Sequence, residues 1–127
     1  MQIRASAEDY LERILLLWQK NGTVRSIDIA NEMGFSKPSV SVAMKKLREG
    51  GLIRMDADGF IALTEEGAQA AGQVYERHST LFEWLVNIGV SEKNAAADAC
   101  RMEHILCAET FEMIKRQVKT LEEKKDR

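Results

Sequence analysis

Apolar side chains open the chain at helical spacing. Tyr10, Leu11, Ile14, Leu15, Leu17 and Trp18 recur with a period of about 3.6 residues, and Asn21-Gly22 ends the run. Ser6, followed by Ala7-Glu8-Asp9, predicts the N-cap of this first helix. Thr23-Val24-Arg25 reads as a short extended piece. A second helix follows with Ser26 as its cap and Ile27, Ile29, Ala30 and Met33 as its buried side. Gly34-Phe35-Ser36 interrupts the pattern briefly, and Lys37-Pro38 restarts it. Ser36 is placed to cap, and proline sits in the first turn, where its missing N–H costs nothing. Val40, Ala43, Met44 and Leu47 carry that helix to Gly50-Gly51. Two short helices joined by a glycine-containing turn are the helix-turn-helix pattern.

The period then changes. The runs 52–55 and 60–63 flank Asp56-Ala57-Asp58-Gly59 and predict a β-hairpin, so the whole reads as a winged helix. Thr64 is placed to cap a long helix over roughly residues 65–88, striped by Ala71, Val74, Tyr75, His78, Leu81, Phe82, Leu85 and Val86. Gly89 breaks it. Ser91 caps a further helix expected to run through Ala95, Cys100, Glu103 and His104 to Leu106. Phe111, Met113, Ile114, Val118 and Leu121 mark a last amphipathic helix that frays over residues 122–127. The expected fold class is mainly α: an N-terminal winged helix-turn-helix over residues 1–63, then an all-helical domain over residues 64–127.

At 127 residues, 45% hydrophobic and 30% charged, the composition is that of an ordinary globular chain. No apolar run approaches the roughly 18 residues that span a bilayer. Met1-Gln2-Ile3-Arg4 does not begin a signal peptide, so a cytoplasmic location and no membrane partner are expected. The net charge of −2 argues against a nucleic-acid partner until it is divided by region. Residues 36–54 hold Lys37, Lys45, Lys46, Arg48 and Arg54 against Glu49 alone. Acidic residues in the second half conceal that basic patch.

The patch surrounds the start of the second helix of the turn, the part that reaches base edges in the major groove. Ser36, Lys37, Pro38, Ser39, Ser41, Val42 and Lys45 form the candidate DNA-facing set, completed by Arg25 and Arg54. Small hydroxyls there permit close approach and hydrogen bonds to phosphate or base. A plain solvated helix face is the competing explanation. The hairpin behind it and the local positive charge weigh against that.

Cys100-Arg101-Met102-Glu103-His104 carries the other chemistry. On a helix, positions 100, 103 and 104 share a face, so a thiol, a carboxylate and an imidazole project together. These are donors for divalent transition metals. Further candidates are His78 on the long helix and Asp9 and Glu12 on the first. Each alone has a structural explanation: acidic residues favour a helix N-terminus, a histidine among apolar neighbours can be core, and so can a cysteine. Burying Glu103 and His104 together is harder to explain without a cation.

Cys100 and Cys107 lie seven apart, about 10 Å between Cα atoms on a helix, too far for a disulfide. They supply the alternative reading, a winged-helix thiol redox sensor. A metallohydrolase is disfavoured, because six protein donors leave little room for the open coordination position that catalysis needs. No enzyme activity is expected.

Several motifs together are similar to one family. Glu8-Asp9-Tyr10-Leu11-Glu12, Ser36-Lys37-Pro38-Ser39-Val40-Ser41, Leu63-Thr64-Glu65-Glu66-Gly67, Glu76-Arg77-His78 and Ala99-Cys100-Arg101-Met102-Glu103-His104 resemble the metal-dependent repressors of the diphtheria-toxin-repressor and manganese-transport-regulator family. The resemblance covers nearly the whole chain, and its length resembles the short manganese-type branch. It implies a homodimer joined through the C-terminal helices, whose winged helices bind a palindromic double-stranded operator once metal is bound. Asp9, Glu12, His78, Glu103 and His104 fall on ligand positions of the family. Cys100 resembles the iron-type branch, where the manganese branch has a glutamate. Of the iron branch's ancillary site His78 is present, while Phe82 and Ala96 stand where its other side-chain ligands would be. The implied cofactor is a divalent ion, Mn2+ or Fe2+, with Zn2+, Co2+ and Ni2+ as further candidates because a thiolate favours softer ions than Mn2+.

Overall fold

The computed structural model describes the backbone of residues 2–125 and the side chains of residues 7–124. It divides into two units, Met1–Gln73 and Val74–Arg127. Six helices and one hairpin are present among the described residues: α1 Gln2–Asn21, α2 Ser26–Met33, α3 Lys37–Glu49, β1 Ile53–Met55, β2 Ile61–Leu63, α4 Glu65–Asn87, α5 Glu92–Met102 and α6 Ala108–Lys125.

In the first unit α1 begins before the serine expected to cap it, since Gln, Arg and Ala at positions 2, 4 and 5 are themselves helix formers. The Ser6 side chain lies outside the described residues. Gly22 closes α1 in the left-handed region, φ 79°, with its N–H donating to Trp18 O at 2.8 Å. Arg25, rather than Ser26, occupies the cap position of α2: its N–H donates to Asp28 Oδ2 at 2.9 Å. The reason is tertiary. Arg25 forms a β-bridge with Phe60, and Ile61 N–H donates to Val24 O at 2.7 Å, so the extended piece is held as a third rung beside the wing.

Ser36 caps α3 as expected. Its Oγ accepts from Ser39 N–H at 3.3 Å and donates to Ser39 Oγ at 2.9 Å. The hairpin is antiparallel with Ile53 opposite Leu63 and Met55 opposite Ile61. Asp56 Oδ1 shapes its turn by accepting from the N–H groups of Asp58 and Phe60. Leu11, Ile14, Ile29, Val40, Met44 and Ile53 are at the centre of this unit's core. Ile27, expected on the buried side of α2, is 38% exposed, as is Trp18 at 56%. α1 packs on α2 and on β2, and α3 packs on α2 and β1, so α3 is joined to α1 through a shared core.

Thr64 seats the start of α4. Its Oγ1 accepts from Gly67 N–H at 3.1 Å and donates to Gly51 O at 2.7 Å. α4 then continues into the second unit. There Leu81 and Leu85 of α4 bury with Ala95 and Ala99 of α5, flanked by Phe82, Trp84 and Ile114. Ser91 caps α5, accepting from Asn94 N–H at 3.4 Å.

The expected single helix through residues 100–106 does not form. α5 ends at Met102, Glu103 is its C-cap, and residues 103–105 make a turn. His104 N–H donates to Arg101 O at 3.4 Å and Ile105 N–H to Met102 O at 3.1 Å, the tightened pattern of a helix running out. α6 instead keeps its helix to Lys125, where fraying was expected earlier.

Candidate functional site

In the second unit Glu103 is the hub. Its carboxylate is completely buried at the end of α5, an expensive place for a charge without compensation. His78 Nδ1, from α4, lies 3.0 Å from Glu103 Oε2, a hydrogen bond whenever that nitrogen carries its proton. His104 Nε2 lies 3.4 Å from Glu103 Oε1, near enough for charge attraction when the imidazole is protonated. Its alignment makes no hydrogen bond, and Oε1 accepts none among the described residues. Cys100 Sγ stands within 4.8 Å of a Glu103 carboxylate oxygen. Cys100 is exposed and His78 and His104 are half-buried, so the cluster grades from a sealed carboxylate to an accessible thiol. The four residues converge although His104 has left the helix, because the turn after Met102 keeps near-helical angles at Glu103, φ −59° and ψ −23°.

This donor set fits a divalent transition ion. It offers imidazole nitrogen, carboxylate oxygen and thiol sulfur, and the buried Oε1 still has acceptor capacity. In the first unit Asp9 and Glu12 stand three residues apart on α1 and so share a face, Asp9 half-buried and Glu12 buried.

The candidate DNA-facing residues are all in the first unit. Ser36, Lys37, Pro38, Ser39, Ser41, Val42 and Lys45 are exposed, and alternate with Val40, Met44 and Leu47, which are buried. The amphipathic division of α3 thus turns the hydroxyls and lysines outward. Val42, at 56% exposure, is an apolar side chain on that otherwise polar face, the kind that meets a thymine methyl. Ser36 is the exception in role, since its hydroxyl is engaged in capping. Arg54 is exposed on β1. Arg25 is exposed too, and its guanidinium lies 4.1 Å over the Phe60 ring, held against the wing.

Sequence reasoning missed Arg77. It donates to the Glu103 and Leu106 carbonyls, and the available signal was an arginine directly preceding a candidate ligand on a half-buried face.

Two family descriptions match the chain in order. Residues 2–59 match "Iron dependent repressor, N-terminal DNA binding domain" and residues 64–127 match "Iron dependent repressor, metal binding and dimerisation domain". The transcriptional regulator MntR of Escherichia coli O157:H7 is 37% identical over 109 residues, covering 86% of this chain and 70% of that protein. An uncharacterized HTH-type transcriptional regulator of Methanocaldococcus jannaschii is 34% identical over 112 residues, 87% of this chain and 90% of that one. The solved structure of the manganese regulator SloR superposes with a TM-score of 0.78 at 26% identity over 89% of this chain, which spans 53% of SloR. No helix among the described residues is long and apolar enough to cross a membrane.

The thiol-switch alternative finds no support in these relatives. Cys100 is on α5, and Cys107 lies between α5 and α6 rather than on the same helix. With its DNA-binding part and its metal-binding and dimerisation part both matched, this chain belongs to the iron-dependent-repressor family of transcriptional regulators.

Proposed function

We propose that this chain is a cytoplasmic repressor that binds an operator palindrome as a homodimer when a divalent ion is held by Asp9, Glu12, His78, Cys100, Glu103 and His104. The observation that carries the reading is the buried Glu103 carboxylate set between two imidazoles, in a chain whose other unit presents hydroxyls and lysines on a recognition helix. When bound, the ion supplies the positive charge that this carboxylate lacks. SloR is a manganese regulator, and the matched family is described as iron dependent. Cys100 tilts this chain toward Fe2+ or a softer ion, since thiolate suits Mn2+ poorly.

The chain's own residues do the coupling. Asp9 and Glu12 belong to α1, which shares a core with α2 and α3. Holding α1 therefore holds the recognition helix. His78, Cys100, Glu103 and His104 belong to the dimerisation part. A palindrome must be met at two half-sites about one helical turn, or a multiple of it, apart, so restricting the freedom of the winged unit favours binding. Ser39, Ser41, Val42 and Lys37 then face the groove and its phosphates, while Arg25 and Arg54 flank them from the wing side. To move the competent state from 1:99 to 99:1, the ion must prefer it by about 5.5 kcal/mol. By linkage, operator DNA tightens the protein's hold on the ion equally. We take residues 1–63 as the DNA-binding part, which also contributes Asp9 and Glu12 as ligands, and residues 64–127 as the dimerisation and metal-binding part.

The test is titration of apo-protein with Mn2+, Fe2+ and Zn2+, read by fluorescence anisotropy on duplexes selected from random sequence with each ion. Glu103→Ala should abolish metal dependence. Full metal dependence in that variant would disprove the ligand assignment.

A further inference from the structure

Arg77 precedes His78 on α4 and reaches, within the second unit, to the turn that follows α5. Its Nη1 donates to Glu103 O at 3.1 Å and to Leu106 O at 2.9 Å, and its guanidinium lies 5.1 Å from the centroid of the buried Phe111 ring. The Glu103 carbonyl is at the end of α5, where the i to i+4 ladder has no further donors to offer, and the Leu106 carbonyl lies in the connection before α6. A planar cation with several donors suits two acceptors at once, and its face suits an aromatic ring. Glu103 is thereby gripped at both ends by consecutive residues of α4: His78 meets its carboxylate, and Arg77 its main chain.

We propose that Arg77 is a positioning residue for the metal centre, tethering residues 103–106 so that Glu103 and His104 are aimed before any ion arrives. This rests on the metal-centre reading above. The turn needs such a tether. Its own backbone bonds include one as long as 3.4 Å, from His104 N–H to Arg101 O, directly at a candidate ligand. With Arg77 removed, the Glu103 and Leu106 carbonyls turn to water and the turn is free to open. The two ligands then have to be ordered at the moment of binding, and affinity falls by that cost. Cys100, lying within α5, is not held this way.

The experiment is a Co2+ titration of the full chain and of Arg77→Met and Arg77→Lys, followed by thiolate-to-cobalt charge-transfer absorption, with thermal unfolding of each apo-protein alongside. Arg77→Met should bind Co2+ about 10–100-fold more weakly, the usual range for a residue that orients ligands. The thiolate band should persist at saturation, and Arg77→Lys should recover part of the affinity because an ammonium can serve one carbonyl. Parent-like Co2+ affinity in Arg77→Met, even with a lowered unfolding temperature, overturns the proposal by reducing Arg77 to a packing residue. Should Arg77→Met fail to fold, Arg77→Leu takes its place, and parent-like affinity in Arg77→Leu overturns the proposal instead. A parent chain that binds no Co2+ defeats the metal-centre reading itself, and is thereby distinguished from failure of Arg77 alone.

Discussion

Gly67→Ala and Gly72→Ala are the same substitution on the same helix and should have opposite effects. A Cβ built on Gly67 would stand 1.9 Å from Leu52 O and 2.9 Å from Leu52 C, both backbone atoms. Leu52 cannot simply withdraw. Its carbonyl accepts from Thr64 N–H at 3.1 Å and its own N–H donates to Leu47 O at 3.0 Å, tying it to the α4 cap and to the end of α3. Overpacking against such a neighbour costs about 1–3 kcal/mol. Displacing α4 also strains the Thr64 cap, worth about 1 kcal/mol. Alanine returns roughly 1 kcal/mol of helix propensity. The net expectation for Gly67→Ala is a loss of about 1–3 kcal/mol. At Gly72 a Cβ meets nothing within 4 Å, so Gly72→Ala should gain roughly 0.5–1 kcal/mol. Urea unfolding at a common m-value reads both. A neutral or stabilised Gly67→Ala would refute the claim that α4 is seated directly on the Leu52 backbone.

Other expectations follow from the same geometry. Lys37→Ala, at an exposed position of the first turn of α3, should weaken binding uniformly across DNA sequences and reduce the salt slope by about one; an unchanged slope removes Lys37 from the interface. The Thr110 hydroxyl, 3.4 Å from Cys107 Sγ, holds that thiol below the ordinary thiol range. Because thiolate is the reactive form, iodoacetamide should modify Cys107 at a lower pH than an ordinary thiol, and Thr110→Val should move the onset upward, as followed by mass spectrometry. In the same assay a saturating divalent ion should protect Cys100 and leave Cys107 reactive. Protection of both would remove the distinction drawn between them.

The alternation of buried and exposed residues on α3, the caps at Ser36, Thr64 and Ser91, and the change of period at the wing were all legible in the chain. Each depends on residues within about four positions of one another, which is the range of helix capping and of one helical turn. The donor types of the candidate metal centre were legible for the same reason, since Cys100, Glu103 and His104 are close neighbours. Tertiary structure decided what those patterns could not. Phe60 draws Arg25 into extended backbone, so Arg25 displaces Ser26 as the cap of α2. Helical spacing continues through His104, yet α5 stops at Met102 and the carbonyls beyond it are taken by Arg77, 26 positions back from Glu103. Gly67 looks like a helix breaker in the first turn of α4 until Leu52 is seen against it. Local pattern sets which conformations are cheap. A donor, a ring or a carbonyl arriving from far along the chain selects among them, because its contact is worth as much as the local preference it overrides.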